Sequence, residues 1–382
     1  MKIGIDTTSA VMQGGGIGRY TRELVQATLA QDADHEYVLF SAPPPTGKSL
    51  AQFFPANGQV THKIAPVSEQ WLYRIWYRAR LPISVQRFTG KLDLFHSPDF
   101  VLPPTGGDIP TLLTVHDLSF VHFPEVYPQV LVNYLNKVVP WSVERATHIL
   151  ADSIATKQDL MAIWQVPDEK VSVLYSGVSA AFEREEDAGR ITAVRQKYNL
   201  GDSPYLLSVG TVQPRKNYQM LIQAFAPIAA KFPHNLYIAG GKGWLYDEMM
   251  AEIEKQGLTD RVRFIGFVDD EDLSTLYSGA DLYVFPSIYE GFGLPMLEAM
   301  ACGVPVIASD VSSLPEVGEG TAVMLPPHNL TKWTQTIDNI LESPEQQKQM
   351  ISAGYQQIQK FSWGKSASQL LAIYQAIVSA NQ

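Results

Sequence analysis

The sequence lacks several features that mark common classes of protein, such as disulfide-rich, membrane-spanning and nucleic-acid-binding proteins. Cys302 is the only cysteine, so an intrachain disulfide is impossible and no case exists for an oxidising compartment. No stretch approaches the ~18 uncharged apolar residues that a membrane-spanning helix needs. The 29 Lys and Arg residues against 39 Asp and Glu give a net charge of −10, which disfavours a general nucleic-acid binder. The apolar run at the N-terminus, MKIGIDTTSA, is too short for a signal peptide. We therefore expect a soluble, cytoplasmic protein.

Short apolar runs alternate with longer amphipathic segments along all 382 residues, as in parallel sheets built from βαβ units. The predicted strands form two series. The first comprises residues 2–5, 37–40, 92–96, 111–115, 148–151 and 171–174, and the second 205–209, 235–239, 262–265, 282–285, 305–308 and 322–325.

We therefore predict an α/β protein with two doubly wound, Rossmann-like parallel-sheet domains facing each other across a cleft. The first domain spans residues 1–180 and the second 181–362, because a glycine turn and a charged helix separate the two series near residues 176–188. Residues 363–382 are predicted to form an amphipathic helix that packs back toward the N-terminal domain.

The stretch SIYEGFGLPMLEAMACGVPVIASD joins a predicted strand to a helix that begins near Pro295. Main-chain N–H groups around Gly293 and Leu294 gather at this helix start, where the helix dipole favours anions. Glu290 before the turn and Glu298 inside the helix can flank one bound molecule, and their carboxylates suit sugar hydroxyls better than phosphates. The alternative is that Glu290 caps the helix and Glu298 is a solvated helix position.

The spacing of these glutamates, E-x₇-E, and the stretch from FIGFVDDEDL to TAVMLPP resemble the donor-binding half of retaining glycosyltransferases of family 4, which have the GT-B fold. The resemblance implies that Glu298 holds the donor ribose and that Glu290 faces the transferred sugar. It also implies that the backbone at Phe292, Gly293 and Leu294 contributes to sugar and phosphate binding.

A nucleotide-sugar donor carries two phosphates, so cations are expected nearby. The segment SVGTVQPRKNYQML provides a strand, a turn at Gly210, and then Arg215 and Lys216 before a helix. The family places a basic pair here on the diphosphate. Lys216 matches that pattern, whereas Thr211 stands where many members have arginine, so Arg215 is the candidate substitute. An ordinary basic helix start is the alternative, although cations there oppose the helix dipole.

Two further segments follow strand ends in the second domain. By the resemblance, Phe267 and Val268 lie along the nucleobase, and a plain core role is the alternative for both. The turn AGGKGW, residues 239–244, is expected to pack near the donor.

The first domain contains VMQGGGIGRYTREL, which is not the dinucleotide fingerprint because its frame from Gly14 ends on Arg19 instead of glycine. It resembles the family's glycine loop beneath the donor phosphates and the acceptor. The resemblance implies donor binding at Gly16 and acceptor contacts near Arg19 and Tyr20, and a merely flexible surface loop is the alternative.

His116 and Asp117 end the predicted strand TLLTVHD, at the edge where α/β sheets bind ligands. The family often places a sugar-contacting histidine in this context, which implies a catalytic His116 and an acceptor-side Asp117. A structural histidine is the alternative.

Two other patterns need a separate interpretation. The triplet Asp270-Glu271-Asp272 matches the metal-binding D-x-D pattern, but these acids precede an apolar helix as capping residues do, so no metal site is predicted. The segment Glu69–Arg87 is predicted to be helical, with its aromatic and basic residues in Trp71–Arg87. It is either core or a peripheral contact with anionic lipid or a lipid-linked acceptor.

Together these features predict a retaining, metal-independent glycosyltransferase that moves a sugar from a nucleotide diphosphate sugar to a hydroxyl of a glycan or lipid-linked acceptor. The form GTVQPRKN is most similar to bacterial mannosyltransferases of polysaccharide assembly, so GDP-mannose is the first donor candidate, with UDP- or ADP-sugars as alternatives. A nucleotide-sugar epimerase of the same architecture and a non-catalytic sugar-nucleotide-binding protein remain alternative functions.

Overall fold

A computed structural model describes residues 1–243 and 246–381. Trp244 of the AGGKGW turn and Gln382 of the C-terminal segment lie outside the described residues. The chain forms two compact units. The first comprises Met1–His122, Gln129–Gly177 and the segment from Trp363, and the second comprises Phe123–Pro128 and Val178–Ser362.

The first unit is built on a parallel sheet that has seven strands among the described residues, in the order β3-β2-β1-β4-β5-β6-β7. These strands are β1 (Lys2–Asp6), β2 (Glu36–Ser41), β3 (Val60–Ile64), β4 (Leu94–Ser97), β5 (Thr111–Val115), β6 (His148–Ala151) and β7 (Val171–Val173). The α-helices of this unit are α1 (Thr8–Met12), α2 (Gly16–Gln31), α3 (Leu50–Phe53), α4 (Glu69–Leu72), α5 (Gln86–Thr89), α6 (Ser119–His122), α7 (Gln129–Arg145), α8 (Ile154–Trp164) and the C-terminal helix Trp363–Ala380. A π-helical segment, Tyr73–Arg78, follows α4, and a 3₁₀ turn occupies Asp168–Lys170.

The second unit repeats this plan with six strands among its described residues, in the order β10-β9-β8-β11-β12-β13. They are β8 (Tyr205–Val209), β9 (Asn235–Ala239), β10 (Val262–Gly266), β11 (Leu282–Phe285), β12 (Val306–Ser309) and β13 (Val323–Leu325). Its α-helices are α9 (Ala188–Lys197), α10 (Tyr218–Lys231), α11 (Tyr246–Lys255), α12 (Asp270–Ser278), α13 (Leu294–Ala301), α14 (Leu314–Gly318), α15 (Leu330–Glu342) and α16 (Pro344–Ile358), with 3₁₀ turns at Pro124–Val126 and Pro214–Lys216. The prediction of two doubly wound parallel sheets is confirmed.

Strand order reverses at the centre of each sheet. In the first unit β1 pairs with β2 on one side and β4 on the other, with Ile3 opposite both Tyr37 and Leu94. In the second unit β8 lies between β9 and β11. The central strands are buried on both faces, which explains why they appear in the sequence as continuous apolar runs. Ligands of such sheets bind outside the carboxyl ends of the strands, at this reversal of strand order.

The sequence prediction missed β3. This strand pairs only with β2 in the sheet order, and within VTHKI only Val60 is buried. An edge strand with three exposed positions lacks the apolar run by which the other strands were recognised.

The predicted helix over Glu69–Arg87 is wrong only at its C-terminal end. The helical structure begins at Glu69, passes into the π-helical segment and ends at Arg78, and Arg80 then has a φ of 51°. Pro82 accounts for this end, because proline lacks an N–H donor and disfavours a helical conformation at the preceding residue.

Segment Phe123–Pro128, which the sequence assigned to the first domain, belongs to the second unit. There the ring of Phe123 lies 5.9 Å from that of Tyr289. Across residues 1–243 and 246–381, we find no helix with the length and apolar character to cross a membrane.

Candidate active site

Three adjacent strands of the second unit end in glycines with left-handed φ angles: Gly210 at 155°, Gly240 at 149° and Gly266 at 78°. Main-chain hydrogen bonds join these strand ends, since Gly210 N donates to Ala239 O at 2.8 Å and Gly240 N to Gly266 O at 2.7 Å. A Cβ at Gly240 would lie 2.1 Å from the carbonyl oxygen of Gly210. The carboxyl edge of this sheet is therefore a surface of closely packed main chain.

The 3₁₀ turn after β8 carries the predicted cations. Arg215 and Lys216 are both 8% exposed, which is unusual for these residue types and requires charged partners. The Lys216 side chain passes Gly210 so closely that a Cβ there would lie 2.9 Å from Cε. Asn217 holds the turn in place, because its Nδ2 donates to Pro286 O at 3.1 Å and Pro327 O at 2.8 Å.

Glu290 is the shared partner of both cations. Its Oε1 lies 2.6 Å from Lys216 Nζ, and its Oε2 lies 2.9 Å from Arg215 Nη1. Burial alone would raise the pKa of Glu290, but the charges of Arg215 and Lys216 hold it at about 2. The carboxylate is therefore ionised at neutral pH, and the three side chains together carry one net positive charge.

The loop that carries Glu290 is fixed by two serines that the sequence prediction missed. Ser312 Oγ accepts from Glu290 N at 2.8 Å, and Ser313 Oγ lies 2.8 Å from Glu290 O and 3.0 Å from Phe292 O. Ile288 N also donates to Arg215 O at 2.9 Å. Serines just before a helix are common caps, so the pair in DVSSLPE gave no distinct functional signal.

Helix α13 begins beside this loop. Its N-cap, Gly293, has a φ of 114°, and a Cβ there would meet Leu314 Cδ2 at 2.8 Å. Phe292 is buried and packs its ring 5.7 Å from that of Phe361, whereas Leu294 is half-buried. The positive end of the helix dipole therefore lies at the residues predicted to contact sugar and phosphate.

Glu298 lies in the interior of α13 and is 3% exposed. Tyr277 OH donates to its Oε2 at 3.0 Å, so the carboxylate has a fixed orientation. Phe267, just after β10, is 63% exposed, while Val268 is buried. The exposed ring suits stacking on a base, and the position of Val268 agrees with the core role that the sequence left open.

In the first unit, His116 follows β5 and is buried. Its Nδ1 lies 2.7 Å from Asp152 Oδ2, and its Nε2 lies 3.2 Å from Pro98 O. Burial would lower the pKa of His116, but the charge and hydrogen bond of Asp152 and the charge of Asp99 raise it to about 9. His116 is therefore an imidazolium whose two N–H groups are directed at partners within this unit.

The other first-unit candidates occupy different environments. Gly16 is exposed and is the first residue of α2, Arg19 is half-buried, and Tyr20 is buried with its ring edge-on to His116 at 4.8 Å. Asp117 Oδ1 accepts from Ser119 N at 2.9 Å, so this carboxylate holds the start of α6.

Within the same glycine loop, Gly18 is required by packing. A Cβ at Gly18 would lie 2.1 Å from Gln13 O, whereas Gly14, Gly15 and Gly16 have nothing within 4 Å.

The acids of the D-x-D pattern lie at the start of α12. Lys197 Nζ contacts Asp269 Oδ2 at 2.7 Å and Asp272 Oδ2 at 2.6 Å, and Tyr198 OH donates to Asp272 at 3.0 Å. Over the described ranges, 1–243 and 246–381, no group of three or more His, Cys, Asp or Glu side chains could hold a metal ion.

Comparison with known proteins places this site in a class. The family model described as "Glycosyltransferase Family 4" matches residues 14–182, and "Glycosyl transferases group 1" matches residues 190–357. The chain is 30% identical to O-antigen chain mannosyltransferase B of Escherichia coli over 377 residues, which covers 95% of this chain and 96% of that protein. The protein is therefore a glycosyltransferase, and it belongs to glycosyltransferase family 4.

Solved structures of other proteins superimpose on this chain and support the GT-B fold. Sucrose-phosphate synthase from Thermosynechococcus elongatus superimposes with a TM-score of 0.76 at 22% identity, covering 100% of both chains. Anabaena HepE in complex with UDP and glucose superimposes with a TM-score of 0.73 at 20% identity, covering 98% of this chain and 100% of that one. The predicted GT-B fold is confirmed.

Proposed function

We propose that the protein is a retaining hexosyltransferase that moves a sugar, with mannose the first candidate, from a nucleotide diphosphate sugar to a hydroxyl of a glycan or lipid-linked acceptor. The observation that carries this proposal is the buried cluster of Arg215, Lys216 and Glu290 beside the start of α13. Its net positive charge suits a diphosphate, and its carboxylate suits sugar hydroxyls.

The donor is proposed to be GDP-mannose, with UDP- and ADP-sugars as the alternatives. A relative that matches along nearly its full length is named an O-antigen chain mannosyltransferase, which favours mannose and a role in polysaccharide assembly. A structural neighbour is complexed with UDP and glucose, so a UDP-sugar is kept as an alternative donor.

In the proposed reaction, the bond from the anomeric carbon to the diphosphate breaks, and its electron pair leaves on a phosphate oxygen. The acceptor hydroxyl attacks the anomeric carbon from the same face, and its proton passes to the departing diphosphate. Arg215 and Lys216 stabilise the charge that develops on the leaving group, with the dipole of α13 adding to their effect. These groups supply the positive charge, so the proposal includes no metal ion.

The remaining residues are assigned by position. Glu298, held by Tyr277, accepts hydrogen bonds from the ribose hydroxyls, and the exposed ring of Phe267 stacks on the base. Gly210 allows close approach of the phosphates to the main chain. His116, as an imidazolium, acts on the transferred sugar by its charge and not as a base.

Transfer is tested by incubating the full chain with GDP-mannose, UDP-glucose or ADP-glucose and mannose oligosaccharides, and by measuring both the extended glycan and the free nucleoside diphosphate. Lys216→Ala should lower transfer by about 10²-fold or more, because it removes a cation from the leaving group. Lys231→Ala, which removes an exposed lysine paired with Asp338, is the matched control and should leave transfer unchanged.

Two results would contradict the proposal. Conversion of the donor sugar without any acceptor would indicate an epimerase. Nucleotide binding without any chemical product, unchanged in Lys216→Ala, would indicate a non-catalytic binding protein.

We also propose that the enzyme works in the cytoplasm with peripheral membrane contact through Trp71–Arg87. Trp71 is 53% exposed and carries Arg74 over its ring at 5.0 Å, and Leu81 is 44% exposed. An exposed aromatic beside cations suits an anionic lipid surface. Co-sedimentation with phosphatidylglycerol vesicles should fall when Arg74 and Arg78 are both changed to Glu, and unchanged binding would refute the contact.

A further inference from the structure

The chain passes between the two units at four points, which follow His122, Pro128, Gly177 and Ser362. We call residues 123–128, 178–185 and 361–362 the boundary segments of the second unit. Each boundary segment contains a phenylalanine. Phe123 directly follows the first point, Phe182 is five residues beyond the third, and Phe361 lies just before the fourth.

Each of these rings packs against another aromatic ring of the second unit. The centroid distances are 5.9 Å for Phe123 and Tyr289, 6.0 Å for Phe182 and Tyr277, and 5.7 Å for Phe361 and Phe292. All three lie within the about 4.5–7 Å over which aromatic pairs stabilise a structure beyond their buried area. The three partner rings are buried, whereas Phe123 and Phe182 are half-buried and pack at the edge of the core.

Two of the pairs support the loop of Glu290. Phe123 packs on Tyr289, the residue before Glu290. The carbonyl oxygen of Tyr289 accepts a hydrogen bond from Arg215 Nη1, so the position of Tyr289 also fixes a cation. Phe361 packs on the ring two positions beyond Glu290, directly before the N-cap of α13. Both contacts therefore hold the main chain that carries the buried charged cluster.

The third pair supports Glu298. Tyr277 OH donates to Glu298 Oε2 at 3.0 Å, and this bond sets the direction of the carboxylate. The ring of Phe182 meets that of Tyr277 edge-on, at an interplanar angle of 71°. Since the tyrosine ring carries the hydroxyl, a contact that fixes the ring also fixes the hydrogen bond to Glu298.

The segment that carries Phe182 is anchored along α12, the helix of this tyrosine. Ser274 Oγ donates to Glu183 O at 2.7 Å, and Glu185 N donates to Ser278 Oγ at 2.9 Å. The two serines lie one turn apart on α12, so they hold the chain beside Phe182 at two places. Phe182 therefore has a fixed position against its partner ring.

We propose that Phe123, Phe182 and Phe361 are positioning residues for the donor site, which has its binding geometry only while the boundary segments are packed on the second unit. Phe182 acts on Glu298, and the other two act on the loop of Glu290. The inference rests on the proposed function for the roles of the two glutamates. Donor binding and packing of the segments are then linked, so a bound nucleotide must also stabilise the segments.

A purely structural role for the three rings is the alternative. In that case the loss of any ring would lower the stability of the second unit and weaken every ligand alike. The contacts favour separate roles, because one pair supports the proposed ribose ligand and two pairs support the loop beside the cations. The proposal therefore predicts different effects on a nucleotide and on a bare diphosphate.

The test measures binding to the full chain by isothermal titration calorimetry, with GDP, UDP, ADP and pyrophosphate as ligands. Phe182→Ala should weaken the tightest nucleoside diphosphate about tenfold or more, because Glu298 loses its fixed direction toward the ribose. Its binding of pyrophosphate should stay as in the wild type, which also shows that the variant is folded. Phe123→Ala should weaken both kinds of ligand, because it loosens the loop beside the cations.

Two further variants control for the loss of a ring. Phe182→Tyr keeps the ring contact and should bind as the wild type does. Phe232→Ala removes another half-buried phenylalanine of the second unit, whose ring lies 5.9 Å from that of His234. It should change the binding of neither ligand.

Hydrogen exchange tests the linkage from the other side. Saturating nucleoside diphosphate should slow exchange of the Glu185 amide, which donates to Ser278, in the wild type. The same ligand should have little effect on this amide in Phe182→Ala, because the ring that connects the segment to Tyr277 is absent.

The outcomes separate this proposal from the proposed function. Equal weakening of nucleotide and pyrophosphate by Phe182→Ala, or no weakening of either, would overturn the positioning role, as would the same pattern in Phe232→Ala. A wild type that binds no nucleoside diphosphate would overturn both proposals. The expected binding pattern without any sugar transfer would refute the transfer reaction and keep the positioning residues. Sugar transfer by a wild type whose phenylalanine variants bind both ligands normally would do the reverse.

Discussion

The sheets of the two units reverse strand order at equivalent places, between β1 and β4 in the first and between β8 and β11 in the second. The side chains at these places differ in kind. In the second unit, the buried Arg215 and Lys216 are joined to one carboxylate, Glu290, with a net charge of +1. In the first unit, three carboxylates, those of Asp6, Glu69 and Asp99, line a cavity of about 550 Å³. The exposed Arg74 and Arg78 and several tyrosines line it as well.

The same backbone plan therefore carries side chains of opposite charge at the two reversals of strand order. Cations fixed beside a helix start suit an anion, whereas carboxylates and tyrosines line the cavity of the first unit. The two crevices differ in charge and not in fold, so informative substitutions are those that change the charge of a crevice.

The largest effect is expected from Glu290→Gln, which removes the shared partner of both cations. Removing one member of a buried ion pair costs about 3–5 kcal/mol, because the remaining charge is left buried. We expect the free energy of unfolding of the second unit to fall by about this amount in urea denaturation. Pyrophosphate should raise the melting temperature of the variant more than that of the wild type, since the anion replaces the lost carboxylate.

The matched control for that change is Glu342→Gln. Glu342 also pairs with a lysine, Lys231, but its side chain is 54% exposed. Exposed pairs contribute about 0–1 kcal/mol, so this variant should unfold almost as the wild type does. If Glu290→Gln is equally mild, or if pyrophosphate stabilises both proteins to the same extent, the cluster is not the anion site.

The next prediction concerns His116 and the dependence of stability on pH. Folding raises the pKa of His116 from about 6.5 to about 9, because Asp152 and Asp99 outweigh the effect of burial. Its stabilising contribution is therefore complete below about pH 6.5 and is lost as the pH rises through about 9. A change of that size corresponds to about 3 kcal/mol. Urea unfolding between pH 6.5 and 9.5 should show this loss in the wild type and a much flatter profile in His116→Asn.

His96 is the control for this profile. Burial lowers the pKa of His96 to about 3, and its Nδ1 lies 2.7 Å from Tyr374 OH. His96 is thus neutral throughout the range, and His96→Gln should keep the slope of the wild type. A wild-type slope in His116→Asn would show that the pair with Asp152 does not carry the effect.

These contacts also show how far the sequence alone can predict the molecule. The apolar runs located the central strands, and the glycine turns located the ends of β8 and β9, because both signals are local. Glu290 and Lys216 were each predicted to contact the donor, but their mutual ion pair joins positions 74 residues apart. That contact depends on β8 and β11 being neighbours, which the local pattern does not specify.

The same reason explains what was missed in the first unit. Asp152 directly follows β6, as His116 follows β5, and both strands were predicted. Their adjacency brings the two side chains together, so a rule pairing polar residues at neighbouring strand ends could have found this contact. The π-helical segment has no comparable signal, since Tyr73–Arg78 has the composition of an ordinary amphipathic helix.

The smallest effect is expected from Tyr277→Phe, which removes the hydroxyl that donates to Glu298 at 3.0 Å. Tyr277 acts through Glu298, so it is a positioning residue. A hydrogen bond to a charged group contributes about 1.5–3 kcal/mol, and we expect most of that loss to appear as an increase of about tenfold or more in the KM for the nucleotide sugar. The kcat should change little, because the ribose lies away from the bond that breaks.

Tyr198→Phe provides a closely matched control within the same unit. Tyr198 OH also donates to a carboxylate at 3.0 Å, but that carboxylate is Asp272 of the D-x-D pattern. If Glu298 holds the ribose and Asp272 only stabilises the start of α12, Tyr277→Phe raises the KM and Tyr198→Phe leaves it unchanged. If both variants raise it equally, or if kcat falls instead of KM rising in Tyr277→Phe, the hydroxyl supports the fold of α12 and α13 and not the orientation of Glu298 toward the donor.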